Sequence, residues 1–121
     1  NKENKNGNNE VKKGTTGVTL ILDNLNLTGV DTAPLTINKD NGEISLILTG
    51  TSYLTDNENP DNEFSPDGNI KDLFEGAAIK VKSNSTLSIE GSGYLSAIST
   101  HNNGIKGAES ATVNINAGVV T

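Results

Sequence analysis

Two segments of the chain decide its fold: Val18-Thr-Leu-Ile-Leu22 and Ile44-Ser-Leu-Ile-Leu48. Both are built from aliphatic and β-branched residues with period two and are followed by turn-forming residues, which is the signature of a β-strand. The second segment repeats the first, and the numbers of the equivalent residues Leu22 and Leu48 differ by 26. A unit of this length, made of short strands and tight polar turns, is typical of a solenoid.

Later strands keep the same period. The numbers of Ile89 and Ile115 again differ by 26, whereas those of Leu48 and Ile89 differ by 41, so we predict an insertion of about 15 residues (41 − 26) between the latter two. Like side chains then stack from coil to coil at about 4.8 Å. The predicted interior ladders are Leu20, Leu46, Leu87 and Val113, and Leu22, Leu48, Ile89 and Ile115, with small residues at the corners at Asn24, Gly50 and Gly91.

A second set of strands lies between these, over residues 33–37, 77–81 and 104–107, and the numbers of Ile79 and Ile105 also differ by 26. Corresponding strands recur in parallel order, and each coil needs the next to pair its backbone groups. We therefore predict an all-β fold, a right-handed parallel β-helix with coils of about 26 residues and an acidic loop insertion at 55–75. An antiparallel β-sandwich is the competing fold, but it gives no reason for the recurrence.

The composition excludes several classes of function. The 121 residues include no cysteine and no arginine, and His101 is the single histidine. Disulfides, Cys-ligated zinc, thiol nucleophiles and multi-histidine metal sites are therefore excluded. The net charge of −6 disfavours nucleic acid and anionic lipid as partners. Since the apolar runs are only a few residues long, we expect no membrane insertion.

The chain divides into two parts by composition. Residues 1–14 hold four lysines, two glutamates and one apolar side chain, so we predict a flexible linker there. Residues 15–121 are predicted to form the β-helix domain. We expect this domain to belong to a longer solenoid, or to self-associate end to end through its terminal coils, because unpaired strand edges recruit other strands.

Four segments resemble a known family: Gly17-Val-Thr-Leu-Ile-Leu-Asp-Asn-Leu25, Phe74-Glu-Gly-Ala-Ala-Ile-Lys-Val-Lys82, Leu87-Ser-Ile-Glu-Gly-Ser-Gly-Tyr-Leu95 and Asn102-Asn-Gly-Ile-Lys-Gly107. They are similar to β-helical carbohydrate-binding domains, of polygalacturonate- or cellulose-binding type, in surface and secreted proteins of anaerobic, polysaccharide-degrading bacteria. The resemblance implies a right-handed parallel β-helix, calcium sites and binding of acidic plant polysaccharides such as polygalacturonate. The chain departs from the family at the last segment, where His101-Asn102-Asn103 stands in place of a frequent Asp.

The insertion carries the candidate metal ligands. Residues 55–75 include seven acidic residues and a single basic residue, Lys71. Calcium prefers about 6–8 oxygen ligands and tolerates irregular geometry. The acid spacing does not match an EF-hand. We predict calcium as the cofactor, with a solvated acidic loop as the alternative; the candidate ligands are Asp56, Glu58, Asp61, Glu63 and Asp67.

The candidate ligand-binding residues are Tyr53, Tyr94, Lys80 and Lys82. The numbers of Tyr53 and Tyr94 differ by 41, like those of Leu48 and Ile89, which predicts the same outward position on adjacent coils. Two tyrosine rings one rung apart would form a strip on which the apolar C–H faces of sugars stack. The alternative is an aromatic ladder that only covers the strand face, and Leu27 at the corresponding place in the first coil favours it.

These observations predict a non-catalytic module that binds carbohydrate, an acidic polysaccharide assisted by calcium, on a bacterial cell surface or in a secreted protein. The alternative is a structural adhesin or fibre segment whose coils stack end to end. A glycan lyase or hydrolase is the third hypothesis. The chain has no arginine for a lyase base, and its acids lie in a loop rather than on a rigid strand face, so we predict that it is not an enzyme.

Overall fold

The computed structural model describes residues 3–30, 32–57, 76–100 and 103–121, and these form thirteen β-strands. None of these residues is helical, so the described part of the chain offers no helix long and apolar enough to cross a membrane. In chain order the strands are β1 Lys5–Asn6, β2 Asn9–Val11, β3 Thr19–Asp23, β4 Asn26–Thr28, β5 Leu35–Ile37, β6 Gly42–Thr49, β7 Thr51–Asp56, β8 Ala77–Val81, β9 Ser85–Gly91, β10 Tyr94–Ser99, β11 Asn103–Gly107, β12 Thr112–Ile115 and β13 Val119–Val120.

The strands form three sheets in which every pairing is parallel. Sheet A has the order β1-β4-β7-β10-β13, sheet B the order β2-β5-β8-β11, and sheet C the order β3-β6-β9-β12. The described chain thus passes from A to B to C four times and then returns to A. We call each such set of three strands a coil, coil 1 being β1–β3 and coil 4 being β10–β12. The fold is all-β with parallel sheets, and this order is compatible with the predicted solenoid.

The strand register of sheets B and C confirms the 26-residue spacing within each half of the chain. Leu20 pairs with Leu46 across β3 and β6, and Leu87 pairs with Val113 across β9 and β12. Sheet B repeats the interval, with Ile79 paired to Ile105.

The register across the insertion corrects the predicted ladders. Leu46 pairs with Ile89 and Leu48 pairs with Gly91, so the predicted neighbours Leu46–Leu87 and Leu48–Ile89 are wrong by two positions. Leu87 instead lies beside Ile44. The sequence could not distinguish these registers, because a shift by two residues leaves every side chain on the same face of the sheet and only a shift by one reverses it.

The interior is apolar, and its burial is deepest in coils 2 and 3. The strands of sheet C contribute five side chains with no exposed surface there: Ile44, Leu46, Leu48, Leu87 and Ile89. Their counterparts in the terminal coils are more accessible. Leu20, Leu22 and Val113 are half-buried, and Ile115 is 55% exposed.

Between sheets C and A the chain turns through the predicted small residues. Asn24, Gly50 and Gly91 all have positive φ, at 55°, 65° and 91°. At Gly91 only glycine fits, since a Cβ would lie 2.3 Å from the carbonyl oxygen of Leu48. Asn24 tolerates the left-handed conformation, as asparagine often does, and its Oδ1 accepts the backbone N–H of Thr51 at 3.0 Å. The prediction of these corners is confirmed.

A second set of corners, between sheets B and C, escaped the sequence analysis. In every coil the third residue after sheet B has positive φ: Gly14, Asp40, Asn84 and Ser110, at 76°, 60°, 61° and 63°. We call the three residues after each strand of sheet B the BC corner; it comprises residues 12–14, 38–40, 82–84 and 108–110.

A buried asparagine stabilises this corner through hydrogen bonds. Asn41 has no exposed surface. Its Oδ1 accepts the N–H of Thr15 at 2.7 Å, its Nδ2 donates to the carbonyl of Asn38 at 2.8 Å, and its backbone N–H donates to Ser85 Oγ at 3.1 Å. Because Thr15 and Ser85 belong to the neighbouring coils, Asn41 connects three successive coils.

The prediction of a flexible linker is wrong for residues 5–11. Lys5–Asn6 pairs with β4, and Asn9–Val11 pairs with β5. Val11 is 7% exposed and joins the core. Low side-chain burial by itself favours a linker, but this segment pairs with coil 2 through backbone hydrogen bonds, such as that from the Asn9 N–H to the carbonyl of Pro34 at 2.8 Å.

Candidate functional site

The outer face of sheet A carries both candidate tyrosines. Ser52 and Leu54 are buried on β7, and Leu95 is buried on β10, so Tyr53 and Tyr94, which alternate with them, lie on the opposite, outer face. Both tyrosines are half-buried. The face around them is rich in hydroxyl groups, contributed by Thr28, Thr51, Thr55, Ser96 and Thr121.

The two tyrosines do not occupy equivalent positions, which corrects the sequence prediction. Tyr53 pairs with Ser96, and Tyr94 pairs with Thr51. The two tyrosines therefore lie diagonally across neighbouring strands, offset by two residues. With strands about 4.8 Å apart and a rise of about 3.3 Å per residue, their Cα atoms are about 8 Å apart. Leu27 pairs with Leu54 and is buried at 6% exposure, so it does not continue a surface ladder.

Tyr94 has a fixed hydroxyl, whereas Tyr53 is surrounded by short polar side chains. Tyr94 Oη lies 2.7 Å from Thr121 Oγ1, which anchors the ring beside the neighbouring strand β13. Tyr53 has Asn26 and Ser96 as its partners in β4 and β10. Together these side chains place two aromatic rings among several hydroxyl donors and acceptors, which suits the C–H faces and hydroxyls of sugars.

Lys80 and Lys82 have different environments. Lys80 lies between the core residues Ile79 and Val81 and is 1% exposed, in a strand that is buried on both faces. Lys82 is half-buried in the BC corner. Both lysines line a cavity of about 270 Å³ together with Asn9, Glu10 and Thr36. Strand alternation alone places Lys80 on the solvent face, so its burial could not be predicted from the sequence.

Lys82 also lines a second cavity, of about 320 Å³, which lies on the BC corner. Its walls are Asn38, Lys39, Lys82, Ser83 and Ala108. Lys39 is a candidate residue that the sequence analysis missed. The signal was present in the 26-residue period, because Lys13 and Lys39 are one period apart.

The candidate metal ligands lie mostly outside the described residues, namely Glu58, Asp61, Glu63 and Asp67. Asp56, at the end of β7, has no exposed surface, and one of its carboxylate oxygens accepts a hydrogen bond from Ser99 Oγ at 2.9 Å. Within the four described ranges, no three acidic or histidine side chains cluster closely enough to hold a metal ion. Calcium ligation by these acids therefore stays a prediction.

A comparison with protein families gives one finding. The model of a family described as carbohydrate-binding domain-containing protein matches residues 4–121. No curated protein matches the chain, and no solved structure matches it. The family match covers all three sheets, including strands β1 and β2 in the segment that composition alone assigned to a linker.

Proposed function

The chain belongs to the family of carbohydrate-binding domain-containing proteins, and from this membership we propose that it binds an acidic polysaccharide without catalysing a reaction on it. Domains of this kind are typically non-catalytic. The observation that carries the proposal is the family match over residues 4–121. The outer face of sheet A supports it, because Tyr53 and Tyr94 lie there among hydroxyl groups.

We propose polygalacturonate as the representative ligand, bound by a right-handed parallel β-helix on a bacterial cell surface or in a secreted protein. The parallel order A-B-C, repeated in four coils, supports the helical architecture. Parallel strands joined by crossover connections are right-handed in the great majority of folds. The lysines of the BC corner support an anionic ligand in a chain whose net charge is −6.

Calcium is proposed as an assisting ion. Carboxylates at the density found between residues 55 and 75 suit a hard cation with oxygen ligands, and such an ion would also bridge the acidic protein to an acidic polymer. A ligand that binds only the native state stabilises it by mass action. EDTA should therefore lower the melting temperature, and added calcium should restore it.

The metal ligands are best tested without Asp56. Asp56 is buried and hydrogen-bonded to Ser99, so its replacement alone would perturb β7. The double variant Asp61→Asn/Asp67→Asn should abolish the response to EDTA, with Glu43→Gln, an exposed acid of β6 outside the insertion, as the matched control. An unchanged response to EDTA in the double variant would exclude those two carboxylates as ligands.

Carbohydrate binding is tested directly with a glycan array followed by calorimetry on oligogalacturonates and on neutral cello-oligosaccharides. We expect binding of the acidic series and no release of unsaturated or reducing-end products. Binding to neither series would refute the proposed function, and product release would establish an enzyme instead.

A structural role is the second candidate, and the exposed apolar side chains of the terminal coils favour it. Ile115 and Val119 are 55% and 53% exposed in the last described strands. At the first coil, the half-buried Leu20 and Leu22 line a cavity of about 400 Å³. Apolar surface on unpaired coils favours end-to-end stacking. Sedimentation across a range of protein concentrations tests this candidate, and a constant monomer mass with glycan binding intact would reject it.

A further inference from the structure

We infer that the BC corner is a calcium-independent site for the carboxylate groups of the polysaccharide, with Lys39 and Lys82 as the contacting residues. The inference rests on the proposed function, but it locates the anionic subsite away from sheet A and from the acidic insertion. It is carried by the alignment of lysines along the corner, by the lack of a described carboxylate within 4 Å of the Lys39 or Lys82 ammonium group, and by the cavity between these two lysines.

The lysines are aligned because the corner repeats in register. Val11, Ile37, Val81 and Gly107 pair in sheet B, so Lys12 and Lys82 occupy one position of the corner and Lys13 and Lys39 the next. The hydrogen bonds continue past the strands in the same pattern, since the N–H of Lys82 donates to the carbonyl of Ile37 at 2.9 Å. Successive coils are about 4.8 Å apart. The ammonium groups therefore follow the stacking direction, as the charges of a linear polymer laid along it would.

We call the row formed by Lys12, Lys13, Lys39 and Lys82 the strip. Its positive charge is only partly neutralised. An ion pair joins Lys13 Nζ to Asp40 Oδ2 at 3.7 Å. Glu10, an acid of the neighbouring sheet B, accepts a hydrogen bond from Asn38 Nδ2 at 2.7 Å. No described carboxylate lies within 4 Å of the Lys39 or Lys82 ammonium group. On a chain of net charge −6, such a strip attracts an anionic polymer to one location.

The cavity between Lys39 and Lys82 has the chemistry of a sugar subsite. Its volume of about 320 Å³ is at the small end of ligand pockets. Ser83 supplies a hydroxyl group for sugar hydroxyls, and Ala108 supplies an apolar wall. Lysine binds a carboxylate directly, so this contact needs no bridging cation. Exposed ion pairs are individually weak, and several lysines engaging one polymer strengthen binding through high local concentration.

Glu109 marks the end of the strip. It follows Ala108 in coil 4, at the corner position that Lys13 and Lys39 occupy in coils 1 and 2. A carboxylate there repels an anionic polymer, so its replacement by lysine should extend the strip by one coil. This position allows a gain of affinity to be tested in addition to a loss.

The test is calorimetry with hexagalacturonate at low salt in the presence of EDTA. We expect Lys39→Gln/Lys82→Gln to lower affinity about tenfold, and Glu109→Lys to raise it about threefold. Lys5→Gln, which removes an exposed charge on sheet A, should bind like the wild type. Salt should weaken wild-type binding more steeply than binding by the double variant. Melting curves of all variants confirm that they fold.

The outcomes separate this inference from the proposed function. If the wild type binds hexagalacturonate and the double variant binds it equally well, the corner site is wrong and carbohydrate binding stands. Loss of all wild-type binding in EDTA would also overturn the corner site, because calcium would then carry the carboxylate contact. Equal affinity for the methyl-esterified hexamer would overturn it as well. If the wild type binds no oligosaccharide with or without calcium, the proposed function itself fails.

Discussion

Coils 2 and 3 and the two terminal coils carry the same pattern of residues, yet they differ in burial. Along one ladder of sheet C, Leu46 and Ile89 have no exposed surface, whereas Leu20 is half-buried and Ile115 is 55% exposed. The residue types are alike, so the difference comes from the number of neighbouring coils. An interior side chain is fully enclosed only when a coil covers it on each side, because each coil mainly contacts its neighbours.

This comparison predicts that identical substitutions along one ladder have unequal consequences. Leu46→Asp should prevent folding, because an unpaired carboxylate would enter an apolar stack at a cost of several kcal/mol. Ile115→Asp, on the same ladder, should cost less than about 1 kcal/mol, as exposed positions usually do. Denaturant titration measures both. A native Leu46→Asp protein with unchanged stability would place Leu46 outside the core.

Hydrogen exchange should show the same gradient in the unmodified protein. The free energy of opening for amides of β6 and β9 should approach the global value, typically about 5–15 kcal/mol, whereas that of β3 and β12 should be several kcal/mol lower. Uniform protection across all four coils would contradict the comparison, and would mean that the terminal coils are covered in solution.

Asn41 offers an intermediate effect that is confined to coils 1–3. Asn41→Ala should lower the free energy of unfolding by about 1–3 kcal/mol, because the Thr15 N–H and the Asn38 carbonyl lose their buried partner. Asn114→Ala in coil 4 is the matched control, since that side chain is exposed and makes one long hydrogen bond of 3.4 Å, to Ser88 Oγ. If thermal unfolding shows that both variants lose the same stability, burial does not determine how much these two asparagine side chains contribute.

Substitutions on the outer face of sheet A should not show the difference in stability between the central and the terminal coils. Tyr53 and Tyr94 are both half-buried, and each is attached to a strand that is paired on both sides. Either substitution to Ala should change stability by less than about 1 kcal/mol, and should weaken oligogalacturonate binding by about 2–10-fold through loss of ring contact. Calorimetry that shows full affinity in the Tyr53→Ala/Tyr94→Ala variant would remove this face from the binding site.

The candidate site was only partly accessible to sequence reasoning. The pattern of β7 and β10 placed Tyr53 and Tyr94 on the outer face, because each lies between residues of the interior. It could not give their relative position, which depends on the register across the insertion. The period of the apolar residues does not reveal Lys39, because the BC corner repeats in polar residues and ends in a residue with positive φ.

From residue 18 onward the sequence by itself determined the strands of sheets B and C, their 26-residue spacing within each half of the chain and therefore their parallel order, because period-two apolar segments that recur at a constant interval leave few other ways to pair. It also determined the corners at Asn24, Gly50 and Gly91, where the backbone needs a left-handed conformation. Only the tertiary structure decided that Leu46 pairs with Ile89, that residues 5–11 join the sheets, and that Lys80 is buried. These three features depend on contacts between coils, and a register shifted by two residues presents the same faces and cannot be distinguished from one chain's pattern.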